Sequence, residues 1–508
     1  MIERPYIYYR PEWTCGRYIK GAGAALYYNL IEGVSFFFED DSAEIIGEII
    51  DIARNEIVSV EKISEKTNTA IESLIPFFEQ LSGLGLLTKT SPTSISVAKY
   101  RDAMSRWKKE HPIKLDASTK EKLPIVQSNA ESAFAAKVGG ITSVMFELTY
   151  NCSEKCIHCY NIGANRNDEE KSHRAETTAL SIEEYKDCID QLYALGLSKV
   201  CLSGGDPFSN PLAWEIIEYL YNNNIAFDVF TNGLSIVDKT DLLASYYPRL
   251  VGVSIYSDKA EVHDYITRIP GSWKRSMAVV KRLGELSVPL NVKCCIMRPN
   301  FKSYRGVVDI ARRCGAQPQF EINVTDSIEG DKCVSRYLRM TPRQYEIVLR
   351  DDNIPQYIGP EAPDFGAVER DMNHNSCGAG DTSFCLTPNG DLIACCSFHL
   401  VFGNIKESSV NEILRSESLH QWRNSGLKDY AECGKHDYCA YCNLCAGLAY
   451  SEHGDYKQPS ENGCYVAKIR YELAQKMKNG YDPLMGMKLE EVIEDSDNYD
   501  YIKLHRVL

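Results

Sequence analysis

The run Cys152-Ser-Glu-Lys-Cys156-Ile-His-Cys159 constrains this chain more than any other stretch. It follows Ser143-Val-Met-Phe-Glu-Leu-Thr149, whose alternation of side chains reads as a buried strand, so the cysteines fall on the loop at that strand's C-terminal end. A cubane iron–sulfur cluster has four irons, each taking one external ligand, normally a thiolate. Three closely spaced thiolates hold three irons and leave the fourth open to a small bidentate ligand. The competing reading is a structural zinc loop. Zinc, however, takes four closed ligands and usually pairs a C-x2-C with a second, distant pair, which a lone three-cysteine loop fits poorly.

The spacing C-x3-C-x2-C, with the aromatic His158 just before the last cysteine, resembles the signature of the radical S-adenosylmethionine (SAM) superfamily. The resemblance implies that Cys152, Cys156 and Cys159 hold the catalytic [4Fe–4S] cluster, whose open iron chelates the SAM amino and carboxylate groups. One-electron reduction would then release methionine and a 5′-deoxyadenosyl radical that abstracts hydrogen.

At 508 residues the chain is too long for one core. A formal charge of −14 argues against nucleic acid, which needs a cationic partner surface. No apolar run approaches the roughly 20 residues of a membrane span. Met1-Ile-Glu-Arg-Pro5 lacks the basic and apolar regions of a signal peptide, so a cytoplasmic location with no membrane partner is expected. In that compartment the 19 cysteines are not disulfides. Three lie in the loop above and nine crowd between Cys377 and Cys464, which means metal.

Residues 1–100 read as aromatic strands (Pro5–Arg10, Ala24–Ile31, Val34–Phe38) and then helices at Ser42–Arg54, Val60–Thr67 and Ala70–Leu81. Strands followed by three helices suggest a winged-helix-like domain with an edge strand able to accept a peptide. The order and size resemble the RiPP recognition element, the leader-peptide-binding domain of ribosomal peptide maturation enzymes. A plain winged-helix accessory or DNA-binding module is the alternative, but no basic recognition helix is seen. Residues 101–140 form a polar bridging segment.

From 141 to 335, strands (199–202, 226–230, 250–255, 290–297, 319–322) alternate with helices such as Ser181–Leu195, which Ser181 and Glu184 open with a capping box. Repeated βα units mean a parallel sheet with helices outside, here an open (β/α)6 partial barrel with functional loops at the strand C-termini. The second strand ends in Ser203-Gly-Gly-Asp-Pro207, where glycines allow close backbone approach to a ligand. It resembles the GGE motif that contacts the SAM amino group, Asp206 standing for Glu, which would make Ser203, Gly204, Gly205 and Asp206 cofactor contacts. Thr231-Asn-Gly233 ends the third strand as another turn toward SAM. Ser254 and Arg268 resemble positions that bond the SAM ribose and carboxylate, and His158 and Tyr160 are expected on the adenine side. Cys188, Cys201, Cys294, Cys295, Cys314 and Cys333 read as small buried hydrophobes.

Residues 336–376, with Pro355, Pro360 and Pro363, form a connecting segment. In 377–470, Cys377 and Cys395 flank a hairpin with an Asn389-Gly390 turn. The pattern resembles a SPASM domain, the extension that binds two auxiliary [4Fe–4S] clusters in enzymes acting on peptides. The resemblance assigns Cys377, Cys385, Cys395 and Cys445 to one cluster and Cys433, Cys439, Cys442 and Cys464 to the other. The chain departs from the family pattern at His436, where Cys439 substitutes as ligand. Cys396 occupies the place of an acidic base found in sulfatase-maturing relatives, which weakens formylglycine formation as a reading. A helix is expected from Tyr465 to Lys478, and residues 471–508 comprise this C-terminal helix and an acidic tail, read as a solvated end.

The expected protein is thus an α/β radical SAM peptide maturase with SAM and three [4Fe–4S] clusters. It would bind a precursor peptide through its leader, take electrons from a flavodoxin or ferredoxin, and form an oxidative intramolecular crosslink, thioether C–S or C–C. Peptide epimerisation, oxidation of a protein side chain, and a cluster-carrying redox-sensing regulator are the alternatives.

Overall fold

The computed structural model describes residues 7–92, 99–100, 130–161, 179–327, 332–360, 372–373 and 377–496, with only the backbone for 332–334. Most of the bridging segment, the Cys333 side chain, Pro363 and the end of the tail lie outside the described residues.

The N-terminal unit pairs β1 (Ile7–Tyr9) with β5 (Ile57–Ser59), and forms a three-stranded antiparallel sheet from β2 (Thr14–Ile19), β3 (Ala24–Asn29) and β4 (Val34–Glu39). Helices Asp40–Ile50, Val60–Thr67 and Ile71–Gly83 follow, close to the expected spans. Strand β2 was not foreseen, because Thr14-Cys-Gly-Arg-Tyr-Ile19 has no clean alternation; its pairing from Thr14↔Asn29 to Ile19↔Ala24 imposes the strand. One sheet face packs Ala25 and Tyr27 on Ile46, Ile49 and Phe78. The other buries Leu26 and Tyr28 with Phe134 of helix Ala130–Val138 and with Ala226 and Tyr247 of the barrel. Each such aromatic contributes about 1.5–3 kcal/mol. Arg10 reinforces the joint: it is 1% exposed and donates to the Ile50 and Ile52 carbonyls and to Asn224 Oδ1.

Strands β6 (Ser143–Glu147), β7 (Lys199–Ser203), β8 (Ala226–Thr231), β9 (Leu250–Ser254), β10 (Leu290–Cys295) and β11 (Gln317–Glu321) lie side by side in chain order, all parallel. Helices cover the outside, and the Ser181/Glu184 capping box forms as expected before Ile182–Ala194. The sheet does not stop at β6. Strand β12 (Ser383–Leu386) adds in parallel to β6, and β13 (Asp391–Cys395) and β14 (Phe398–Asn404) follow antiparallel, giving nine strands. The turn between β12 and β13 is closed by Gly390, whose φ of +94° suits glycine.

Helix Glu461–Lys478 starts on the Ser460 cap, four residues before the expected Tyr465, so Cys464 is helical. The acidic tail is not simply a solvated end. Leu489–Asp495 forms a helix whose Leu489, Val492 and Ile493 enter the main core, an i, i+3, i+4 pattern that the flanking charges disguise. No described helix is long and apolar enough to cross a membrane.

Arg10→Met keeps the side-chain volume but strands its acceptors. It is expected to lower stability by about 3 kcal/mol, read as a shift in the urea unfolding midpoint; an unchanged midpoint would show that the Arg10 joint carries no load.

Candidate functional site

The cysteine loop is gripped from two sides. On one, Gly205 N donates to Thr149 O (2.6 Å) and Asp206 N to Asn151 O (3.0 Å). A Cβ on Gly204 would lie 2.3 Å from Thr149 O, and one on Gly205 2.3 Å from Asn151 O. The two glycines therefore serve first to admit the cysteine loop itself, and Asn161 Nδ2 takes the Gly204 carbonyl at 2.9 Å. On the other side, Lys155 N and Ile157 N donate to Thr267 O and Ile266 O, each at 2.9 Å, at the end of helix Ala260–Thr267.

Asp206 is fully buried, and its carboxylate is spent on protein donors. One oxygen accepts from Thr231 Oγ1 (2.6 Å) and Asn232 N (2.9 Å), the other from Phe208 N (3.1 Å). It thereby aims Asn232, whose Nδ2 donates to Cys152 Sγ at 3.3 Å. Asp206 acts on the site through Asn232, a residue the sequence located only as part of a turn. Glu154 N also donates to Cys152 Sγ (3.4 Å), and Cys156 Sγ bonds Glu154 Oε2 (3.2 Å). Burial, then Glu154, Cys159 and Cys152, push the Cys156 thiol well above its ordinary range. Three thiols this close resist ionising together, so a cationic iron core that takes them as thiolates suits the set.

Ser203 stands at the end of β7, where its carbonyl takes Leu148 N (3.0 Å). Ser254 ends β9 and neighbours Tyr256. Arg268 is exposed and forms the left-handed cap of Ala260–Thr267, next to the carbonyl that holds Lys155. His158 stands edge-on to Tyr256, with ring centroids 4.8 Å apart; its Nδ1 is unpartnered among the described residues, and burial lowers it to about 4, so the ring is neutral. Tyr160 reaches the Cys396 thiol. Both His158 and Tyr160 line a cavity of about 460 Å³, which also meets Cys295 and Glu321 of the barrel and Cys442 and Cys445 beyond it.

Of the C-terminal cysteines, Cys433, Cys439, Cys442 and Cys464 line one further cavity of about 230 Å³. Burial, with Cys464, Cys442 and Cys439, drives the Cys433 thiol up to about 12. The structure thus gathers the four that the sequence grouped, with His436 stacked on Tyr438 in the same wall. The other four are not gathered as one. Cys445 feels Cys377, whereas Cys385 is fully buried on β12, with Glu147, Cys396 and Cys201 as its nearest charges, and Cys395 Sγ contacts Cys396 Sγ at 3.9 Å. Among the described residues no three metal-ligating side chains converge for a single ion. A cubane, whose ligands bind separate irons, asks for no such convergence. Cys188, Cys201 and Cys294 are buried as expected; Cys295 and Cys314 are partly exposed.

An open parallel barrel with this loop at its rim is the architecture of a radical SAM enzyme. Residues 146–309 match the Radical SAM superfamily and residues 377–446 match SPASM, an iron–sulfur cluster-binding domain, so the chain is a radical SAM enzyme carrying a SPASM domain. The antilisterial bacteriocin subtilosin biosynthesis protein AlbA of Bacillus subtilis (strain 168) is 28% identical over 331 residues, covering 64% of this chain and 70% of that protein. An AdoMet-dependent heme synthase of Methanosarcina barkeri is 25% identical, covering 62% of this chain and 93% of its own. In fold, the crystal structure of Streptococcus suis SuiB bound to precursor peptide SuiA is similar with a TM-score of 0.52 at 14% identity, over 90% of this chain and 99% of that one.

Asp206→Ala should release Asn232 from Cys152. Loss of such outer support typically costs about 10–100-fold in metal affinity, and that loss is expected in iron retained at the loop against a chelator. Wild-type retention would show that the tie is idle.

Proposed function

We propose that this radical SAM enzyme modifies a ribosomally made precursor peptide, holding the leader on its N-terminal unit and forming an oxidative C–S or C–C crosslink in the core peptide. The observation that carries the reading is the 460 Å³ cavity, which has His158 and Tyr160 of the cysteine loop on one wall and Cys442 and Cys445 on another. Its size suits a peptide side chain, and Ile322, Val324, Leu444, Leu448 and Val466 give it apolar walls. SAM and the reduced cluster supply the hydrogen-abstracting radical when bound. The chain's own part is to hold the peptide between that site and the auxiliary cysteines and to exclude water, since a carbon radical reacts with whatever lies nearest.

In this reading Cys152, Cys156 and Cys159 hold the SAM cluster, with Ser203, Gly204, Gly205, Ser254 and Arg268 around the SAM and Asp206 acting through Asn232. Cys433, Cys439, Cys442 and Cys464 hold one auxiliary cluster; Cys377, Cys395 and Cys445, with Cys385, the other. Auxiliary clusters held there would accept the surplus electron, and a flavodoxin or ferredoxin would be the electron donor.

Strand β4 is a sheet edge, and beside it Phe38 meets Phe77 of helix Ile71–Gly83 edge-to-face at 6.1 Å. An edge next to an apolar helix face is suited to receive an added peptide strand. The similarity to SuiB spans too much of this chain to leave the whole N-terminal unit out, which supports a shared role for that unit. Small-molecule synthesis, as in the heme synthase relative, would give it none.

Anaerobic reconstitution should load about twelve irons per chain if three cubanes form, and Cys433→Ser with Cys464→Ser should lose about four. With SAM, reductant and the precursor encoded beside the gene, the product should lose two hydrogens. An unchanged mass with solvent deuterium uptake would indicate epimerisation. Phe77→Glu is expected to weaken full-length precursor binding at least tenfold while the isolated core peptide binds both proteins alike; equal loss for both peptides would remove the leader clamp.

A further inference from the structure

One cation in the barrel lumen has no hydrogen-bonded or ion-paired partner among the described residues. Lys293 lies on β10 two residues before Cys295 and therefore on the same strand face, one step deeper than the cavity that Cys295 and Glu321 line. Its Nζ sits 3.3 Å from the Phe230 ring centroid. The contact is built into the sheet: on Gly252 of the intervening β9, a Cβ would come within 2.8 Å of both Lys293 Cδ and the Phe230 ring. The carboxylates nearby are engaged elsewhere. Asp228 gives both oxygens to Arg249. Glu321 Oε1 accepts from Ile322 N (2.8 Å), Asn323 N (2.7 Å) and Asn323 Nδ2 (2.8 Å). No hydrogen bond or ion pair reaches the Lys293 ammonium among the described residues.

An aromatic face answers part of an ammonium's charge but none of its three donors. A mostly buried cation left so is costly, and becomes favourable when an anion arrives. The strongest electrostatic influences on it come from Cys201, Cys396, Asp228 and Glu321, none of them a cation. One ammonium alone matches a monoanionic carboxylate better than a phosphate dianion. We propose that Lys293 is a carboxylate-binding subsite just beneath that cavity, taking an acidic side chain or the C-terminus of the substrate peptide. This rests on the peptide reading above.

The test measures binding to reconstituted wild type, Lys293→Gln and Lys293→Arg, all matched for iron content. The ligands are SAM, the fluorescently labelled precursor encoded beside the gene, and versions of that precursor in which each Asp or Glu is amidated in turn or the C-terminus is blocked. One neutralised peptide should bind wild type at least tenfold more weakly than the parent, the same loss should follow Lys293→Gln with the parent peptide, and combining the two should add little. Lys293→Arg should restore part of the affinity. If Lys293→Gln instead weakens SAM tenfold and no peptide, the carboxylate is that of SAM and the peptide assignment falls. If neither ligand is weakened, or every neutralised peptide loses equally on Lys293→Gln and wild type, the subsite is overturned. Failure of wild type to bind any form of the precursor would sink the peptide reading itself, with the SAM arm still reporting on Lys293.

Discussion

The site depends on one steric fact: the backbone of the cysteine loop lies against Gly204 and Gly205 more closely than any side chain would allow. That contact brings Thr149 and Asn151 into hydrogen bonds with the second βα turn and sets where the loop departs from β6. Asp206 follows at once and uses its whole carboxylate to bind the third turn to the second. Asn232 carries the effect to Cys152. Three successive strand ends are thus locked around one cysteine, a rigidity suited to a cluster whose ligands must keep their spacing.

The C-terminal elements are placed by the same sheet. Because β12 pairs with β6, the hairpin bearing Cys385 and Cys395 grows from the strand that leads into the Cys152–Cys159 loop. A buried network then anchors the remaining C-terminal cysteines. Arg339 binds Asp326 at 3.1 Å and approaches Glu452 at 3.8 Å, while Glu452 caps helix Glu461–Lys478 through the amides of Glu461 and Asn462. That helix carries Cys464, and Arg470 within it holds the Tyr441 carbonyl between Cys439 and Cys442. Charges this buried cost desolvation unless paired, so the network favours one relative placement of the barrel and the second cysteine set.

Much of this was legible in the chain. The βα alternation, the capping box and the Asn389-Gly390 turn are local signals, and each element formed within a few residues of its expected span. Cys433, Cys439, Cys442 and Cys464 line one cavity, a set that the family resemblance suggested and spacing alone does not, since Cys445 lies nearer to Cys442 along the chain than Cys464 does. Strand β2 was missed because its partner, not its own pattern, makes it a strand. The tail helix was missed because charges mask its apolar stripe. Gly204 and Gly205 were read as admitting a ligand, but what approaches them most closely is the protein's own loop.

The sequence by itself determined the chemistry on offer: which thiols stand close enough along the chain to share a cluster, and which repeats build the barrel that holds them, since both follow from spacings of a few residues. The tertiary structure alone decided what those groups face. That Asp206 reaches Asn232, that Cys385 turns into the lumen and that Lys293 rests on Phe230 across Gly252 depend on strand register and on contacts between residues far apart in the chain. Periodicity encodes which way a side chain alternates, but not which partner a folded sheet will set opposite it.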